Sequence, residues 1–251
     1  MTNERQRKIV ARIETWGFAT IEALAQEFDV SAQTVRRDII QLEKHRMLQR
    51  FHGGAGLPRD SVRLGYSKKK IAAVEGKQRI GEAAAALILD GSAVFLDVGT
   101  TVEAVAKALA GRQDLHVFTN SLASAAALAG SQAMKVVVTG GLLHGADGSL
   151  IGDDVTATIA RFKFDVAVIA CSGFDDDGTA MDFDIQKVGV KNAAMGNARR
   201  TILVADGSKF IRTAFVRVST LEAFSHIVTD TEPPTAFRNA LQEAGVEIIV
   251  A

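Results

Sequence analysis

Residues 20–55 read TIEALAQEFDVSAQTVRRDIIQLEKHRMLQRFHGGA, and their apolar spacing predicts two short helices followed by a hairpin. Ile21, Leu24, Ala25 and Phe28 recur at the interval of one helix face. Asp29-Val30-Ser31 breaks the pattern, with Thr20 and Ser31 placed as N-caps. In the second helix Val35, Ile39 and Leu42 share the inner face. Gln33, Arg37 and Lys44 point outward, with Thr34 and Arg36 on the flanks. Amide and guanidinium forks near a helix N-terminus suit base edges in a DNA major groove, and hydroxyls and cations suit phosphates. The same arginines would also serve as the solvated face of an ordinary helical hairpin. The sequel favours DNA. Leu48 to Ala55 reads as a strand turning at Gly53-Gly54, with Arg50 and His52 on its polar side. This is the pattern of a winged helix–turn–helix, whose wing rests on the DNA backbone. Ile9, Val10, Ile13 and Trp16 supply the third helix that such a small unit needs.

The chain has 251 residues and a formal net charge of zero, but the charge is unevenly spread. Residues 1–79 hold 16 Lys+Arg against 9 Asp+Glu, a balance of +7, and residues 80–251 hold 13 against 20, a balance of −7. A basic head on an acidic body fits a polyanion-binding module joined to a different function, and argues against DNA wrapping around the whole molecule. The single cysteine, Cys171, excludes an intrachain disulfide framework and follows an apolar run, where a small buried residue is expected. With no apolar leader after the charged start and no run of about 18 apolar residues, neither signal peptide nor membrane span is expected, which points to the cytoplasm.

Residues 1–57 are therefore read as the DNA-binding domain, 58–76 as a polar linker carrying Lys68-Lys69-Lys70, and 77–251 as a second domain. In the last, strand patterns at 93–97, 116–119, 135–139, 165–170, 201–205, 226–229 and 247–250 alternate with helical patterns at 79–89, 102–109, 121–128, 153–161, 184–198 and 235–244. Alternation of this kind predicts an open, mainly parallel α/β sheet. Runs such as VVV and TILVA suit strands covered on both faces.

Parallel sheets bind ligands beyond the C-terminal ends of their strands. Those ends carry Asp97-Val98-Gly99-Thr100-Thr101, Thr119-Asn120-Ser121, Thr139-Gly140-Gly141, Ser172-Gly173 and Asp206-Gly207-Ser208-Lys209. Gly99-Thr100-Thr101 leads into a helix, so free amides and two hydroxyls there could cradle a phosphate. Gly140-Gly141 would allow close backbone approach. Asp97 and Asn120 suit hydroxyls of a polyol, and Lys191 and Lys209 are candidate counter-charges. Each feature alone is also ordinary turn chemistry; together they point to a phosphorylated small metabolite. No dinucleotide or nucleoside-triphosphate motif is present, and the five histidines lack metal-ligand spacing, so neither cofactor nor metal is expected. Asp175-Asp176-Asp177-Gly178 reads as an acidic turn before a helix.

QTVRRDIIQLEKHRMLQRFHGGA, FLDVGTTVEAVAKAL, VFTNSLASA, TGGLLHGADGSLIG, SGFDDDGT and VADGSKF together resemble the DeoR family of bacterial transcriptional repressors, and within it the repressors of glycerol-3-phosphate regulons. The resemblance covers essentially the whole chain. It implies a winged-helix operator reader, a C-terminal domain related in fold to ribose-5-phosphate isomerase, double-stranded operator DNA as partner, and a phosphorylated sugar or glycerol-3-phosphate as inducer. It also implies dimers or tetramers, and puts inducer contacts on Asp97, Gly99, Thr100, Thr101, Thr119, Asn120, Gly140, Gly141, Lys191, Asp206 and Lys209. One departure stands out: Lys187 occupies a place where the family segment usually has glutamate. It would either reinforce Lys191 at a phosphate or point to solvent.

Two function classes follow: a ligand-released repressor, and a sugar-phosphate isomerase with an appended DNA-binding domain. Isomerisation needs a base beside the substrate carbon. Asp182 and Asp184 are the candidates, and Lys187 stands where a carboxylate would have helped.

Overall fold

The computed structural model describes residues 2–16, 18–51, 54–56, 65–131 and 133–251, and the chain divides into two compact units, 1–72 and 73–251. The first carries α1 (Glu4–Trp16), β1 (Phe18–Thr20), α2 (Ile21–Glu27), α3 (Ala32–Lys44), β2 (Gln49–Phe51), β3 (Gly54–Gly56) and α4 (Tyr66–Ile71). Both expected caps form. Thr20 Oγ1 accepts from the Ala23 amide at 3.0 Å and Ser31 Oγ from the Thr34 amide at 3.2 Å, satisfying donors that a helix start leaves open. The turn between α2 and α3 needs a left-handed residue, and Asp29 supplies it at φ 50°.

Ile9 and Ile13 of α1, Leu24 of α2, Val35, Ile39 and Leu42 of α3, and Leu48 bury into one small core. Full burial of each such side chain contributes about 1.5–3 kcal/mol. The three strands form an antiparallel sheet in the order β1-β3-β2, so the glycine hairpin is a wing. Of its expected contacts, His52 and Gly53 lie outside the described residues.

The second unit runs α5 (Val74–Ala86), β4 (Ala93–Leu96), α6 (Thr100–Leu109), β5 (His116–Thr119), α7 (Leu122–Leu128), β6 (Lys135–Val138), β7 (Leu142–His144), β8 (Ser149–Ile151), α8 (Asp153–Ile159), β9 (Phe164–Ala170), β10 (Gly173–Phe174), β11 (Ala180–Asp182), α9 (Ile185–Gly196), β12 (Ala198–Val204), β13 (Val216–Ser219), β14 (His226–Thr229), α10 (Thr235–Glu243) and β15 (Glu247–Val250). Its seven-stranded sheet has the order β15-β14-β12-β9-β4-β5-β6, and every pairing is parallel. Side chains alternate across it. Val94, Leu96, Val166, Val168, Ile202 and Val204 meet α5, α6 and α7 on one face, while Phe95, Ala167, Ile169 and Leu203 meet α8, α9 and α10 on the other. The strand order reverses between β4 and β9, which opens a crevice above their C-terminal ends.

The structure departs from the sequence reading in several places. The stretch expected as linker is helical over much of its described part, as α4 and the start of α5. Lysines are good helix formers, and a solvated helix without an apolar stripe reads as coil. Val137 and Val138 are exposed because β6 is an edge strand, so VVV is not covered on both faces. The hairpin β7–β8 and the small sheet β10-β11-β13 were not expected. The acidic Asp175–Gly178 run turns between strands β10 and β11, not into a helix. Asp175 and Asp177 carboxylates accept backbone amides there, and Gly178 takes φ 83°. No helix among the described residues is long and apolar enough to cross a membrane.

Candidate functional site

The outer face of α3 presents Gln33, Arg36, Arg37 and Lys44 to solvent, with Thr34 half-buried. Neither Arg36 nor Arg37 forms an ion pair among the described residues. Ser31 and Thr34 hydroxyls are within 2.9 Å of each other at the helix start. Arg50 on the wing is exposed but tethered: its amide donates to Glu43 Oε1 at 3.1 Å and its Nε lies 3.4 Å from Glu43 Oε2. One carboxylate on α3 thus sets where the wing's first strand leaves the helix. Gly54 starts β3 opposite Phe51.

In the second unit the crevice at the β4/β9 reversal holds a buried ion cluster. Lys191, from α9, is 2% exposed in its side chain; its Nζ binds Asp97 Oδ2, donates to Ala170 O at 2.9 Å and lies 3.4 Å from Asp182 Oδ2. Asp97 Oδ2 also accepts from the Ala170 amide at 3.1 Å. Burial works to lower the Lys191 pKa, but Asp97 and Asp182 outweigh it and hold the ammonium charged, above its ordinary range. Asp97 and Lys191 are thus each other's partner at the floor of the crevice. Asp97, expected to meet a polyol hydroxyl, and Lys191, expected as a counter-charge, are here paired with each other.

Thr119 is fully buried; its hydroxyl donates to Leu96 O at 2.7 Å and accepts from the Ser121 amide at 3.0 Å, tying β5 to β4. Beside it Asn120 donates to Leu150 O at 3.1 Å while its Oδ1, buried, has no partner among the described residues. Such an acceptor carries a desolvation cost of about 1–3 kcal/mol until a donor meets it. Gly141, at φ 106°, approaches protein rather than a ligand: a Cβ there would lie 2.2 Å from Val155 Cγ2 and 2.8 Å from Ile151 O. Gly140 is exposed, with open space around its missing side chain.

The phosphate features gather elsewhere on the same edge. Gly99 caps α6 without a side-chain bond, leaving its first-turn amides toward the crevice with Thr100 half-buried and Thr101 buried. α5 runs parallel to α6, because Arg112, just past α6, bonds Ala85 O and Ile88 O at the end of α5. The two helices touch where a Cβ on Gly81 would lie 2.7 Å from the Ala104 backbone. Lys77 lies one turn before Gly81 on α5 and Thr100 one turn before Ala104 on α6, both toward the C-terminal edge of the sheet. Lys77 is 6% exposed. Burial lowers its pKa, Lys209 and Arg212 push the same way, and Asp206 and Asp230 oppose them. Asp206 caps the turn at 207–209, accepting from the Ser208 amide at 3.1 Å, and lies 3.7 Å from Lys209 Nζ. Asp230 accepts from the Gly207 amide at 2.8 Å and closely approaches Gly76. Lys77, Lys209 and Arg212 thus all act on Asp206, and Lys77 also on Asp230, at the same strand-end edge. Sequence reasoning found Lys209 but missed Lys77 and Arg212. Lys77 sits on the helix before the first strand, and Arg212 lies beyond the strand-end motif.

Asp206 shows what these cations do. Burial would raise its pKa, yet Lys209, the Ser208 hydroxyl, Lys77 and Arg212 pull it down to about 2. A carboxylate depressed from about 3.9 contributes roughly 2–3 kcal/mol above pH 4, lost as pH falls toward 2. Urea unfolding of wild type and Asp206→Asn from pH 6 to pH 3 should accordingly show a stability gap that narrows on acidification; a gap constant with pH would remove this charge assignment.

Lys187 neither joins Lys191 nor points to solvent. It is buried and ion-paired with Asp147 in the β7–β8 turn, and His144 Nε2 lies 2.8 Å from Asp184 Oδ2. Cys171 is buried near Lys209, Asp182, Lys191 and Asp206, and burial pushes its thiol up to about 12, so it is unreactive near neutrality. Among the described residues no group of three or more His, Cys, Asp or Glu is placed to hold a metal.

The chain matches the DeoR-like helix-turn-helix domain over residues 5–60 and the DeoR C terminal sensor domain over residues 72–231. It is 35% identical over 245 residues to the glycerol-3-phosphate regulon repressor of Escherichia coli (strain K12), covering 98% of this chain and 97% of that protein. The HTH-type transcriptional repressor CsqR of the same organism is 36% identical over 248 residues, with 99% and 95% covered. The glycerol-3-phosphate regulon repressor of Haemophilus influenzae is 36% identical over 246 residues, with 98% and 96% covered. Solved structures are more distant. Ribose 5-phosphate isomerase A from Methanocaldococcus jannaschii aligns at 13% identity and TM-score 0.42, over 55% of each chain. eIF2B beta from Chaetomium thermophilum aligns at 12% identity and TM-score 0.49, over 96% of this chain and 69% of that one.

Proposed function

The chain belongs to the DeoR family, and from that premise we propose that it is a transcriptional repressor released from its operator by a phosphomonoester with a neutral hydroxylated tail, glycerol-3-phosphate fitting best. The observation that carries the effector reading is the gathering of Lys77, Lys209 and Arg212 around Asp206, at the strand-end edge that also carries the α6 N-terminus with no side-chain cap. That combination suits a dianion. The rest of the edge has the opposite balance: Lys191 and Lys187 face Asp97, Asp182 and Asp147. A carboxylate or second phosphate would meet like charge there, whereas a hydroxyl could donate to the unmet Asn120 Oδ1. Names of relatives alone do not choose the effector, since CsqR is as similar as the glycerol-3-phosphate repressors.

The operator would be read by Gln33, Arg36 and Arg37 with the wing alongside, and an oligomer would present paired heads to paired half-sites. The effector acts only through different affinity for two states; a coupling of about 1–3 kcal/mol changes operator affinity roughly 5–150-fold. A regulator reading is favoured over an isomerase because Asp182 is engaged: its Oδ1 accepts from Ser172 Oγ at 2.9 Å and the Phe183 amide at 2.7 Å, and its Oδ2 faces Lys191. An acceptor so occupied is poorly placed as a base.

Thermal denaturation tests the effector class. At about a hundred times Kd, glycerol-3-phosphate should stabilise by about 2.7 kcal/mol and raise Tm by several degrees. 3-Phosphoglycerate and fructose 1,6-bisphosphate should do much less. Equal shifts with all three would sink the charge-polarity argument, and no shift with any phosphoester would sink the sensor reading.

A further inference from the structure

The buried stripe of α3 contains one charged residue, Asp38, which is 5% exposed among Val35, Ile39 and Leu42. It directly follows Arg36 and Arg37. Both carboxylate oxygens are taken by adjacent residues of α1: Arg5 Nε donates to Oδ2 at 2.6 Å and Gln6 Nε2 to Oδ1 at 3.0 Å. The same Gln6 nitrogen donates to Gln41 Oε1 at 2.6 Å, one turn further along α3. Gln6 is itself held at both ends. Its Oε1 accepts from the Asn3 amide at 3.1 Å, and its backbone amide donates to Asn3 Oδ1 at 2.8 Å.

Burying a carboxylate is a poor way to stabilise a small core, since a well-packed apolar residue is as good or better. Its use is directional. Aliphatic contacts let two helices slide and roll, whereas a fork of hydrogen bonds to Arg5 and Gln6 admits one register and one rotation. Side chains project about 5–6 Å from a helix axis, so a roll of about 20° sweeps their tips by roughly 2 Å. That is enough to break a bidentate base contact, which tolerates about 0.5 Å and 10–20°.

We infer that Asp38 is the positioning residue of the DNA-reading helix: through Arg5 and Gln6 it fixes the rotation of α3 on α1, and with it the base preference of Gln33, Arg36 and Arg37. The inference rests on α3 being the reading helix. It concerns selectivity more than affinity, because phosphate contacts tolerate small rolls that base-edge contacts do not.

The experiment is a selection from a randomised duplex library by the full-length protein, followed by affinity measurement on the selected duplex and on a scrambled one across salt concentrations. Wild type should select a motif; failure to do so would overturn the reading of α3 itself. Asp38→Leu, at temperatures well below its melting point, should keep scrambled-duplex affinity within about twofold and the salt slope unchanged. Its ratio of selected to scrambled affinity should fall tenfold or more. Asp38→Glu should not rescue the ratio, since the longer side chain displaces the fork. Should Asp38→Leu not fold, Asp38→Asn carries the same test, with Arg5 losing its charged acceptor. A folded Leu or Asn variant that selects the wild-type motif with an undiminished ratio overturns the inference, as does a parallel loss on both duplexes, the mark of a merely structural role.

Discussion

Replacing Lys77 with methionine is expected to weaken effector binding by about 10–150-fold, the factor corresponding to one lost charged hydrogen bond of about 1.5–3 kcal/mol, while leaving the fold intact. The two halves of the result have one cause. Lys77, Lys209 and Arg212 repel one another around Asp206 and Asp230, and burial adds to the strain on Lys77. A methionine of similar length keeps the packing of α5 and removes the repulsion from Lys209 and Arg212 together with the attraction to Asp206 and Asp230, so Tm without ligand should change by only a few degrees. A phosphate loses one of the cations gathered around Asp206. Titration calorimetry with glycerol-3-phosphate, paired with thermal denaturation of the unliganded variant, reads both. An unchanged Kd would take Lys77 out of the phosphate seat. A large fall in unliganded Tm would make it an ordinary structural ion pair.

Lys191→Met should behave in the opposite way, with a destabilisation of about 3–5 kcal/mol, because it strands the Asp97 carboxylate in the interior. The dependence on pH has a definite sign. In wild type the Lys191 pKa is raised, so its contribution is present throughout the range below its unfolded value near 10.4 and is lost only at more alkaline pH. In the variant Asp97 is left with the burial that already pushes its pKa upward. The penalty for its charge then disappears as pH falls through that raised value, and the gap to wild type narrows on acidification. Adding Asp97→Asn to Lys191→Met should recover much of the loss. A cost below about 1 kcal/mol, flat between pH 8 and pH 5, would show that the pair does not organise the crevice.

The reading head was largely legible in the sequence because its determinants are local. Caps at Thr20 and Ser31 and a 3.6-residue apolar interval are decided within one or two turns. The seven sheet strands were legible for a similar reason, each being a short β-branched run between turn residues. The hairpin β7–β8 was not: Leu142, Leu143 and their neighbours form strands too short to show alternation, held by pairing with one another. α4 was read as linker because it buries nothing.

The candidate effector site was legible only as a list of strand ends. Thr119 and Gly141 belong to that list by position, but their hydrogen bonds and close contacts go to protein. Asp97 and Lys191, 94 residues apart, were both expected at the effector site, but their pairing with each other was not legible. Lys77 comes from the opposite direction, a helix that precedes the sheet altogether.

Sequence by itself determined what short-range physics can decide: where helices start, which faces are apolar, that strands alternate with helices, and that a basic head precedes an acidic body. Tertiary structure alone decided which charges pair with each other and which cations gather at one edge of the sheet. Electrostatic pairing depends on distance in space and on burial, and neither is a function of separation along the chain. The strand order that reverses between β4 and β9 brings Asp97, Ala170 and Lys191 together, and the parallel contact of α5 with α6 puts the first turns of both helices at the same edge of the sheet.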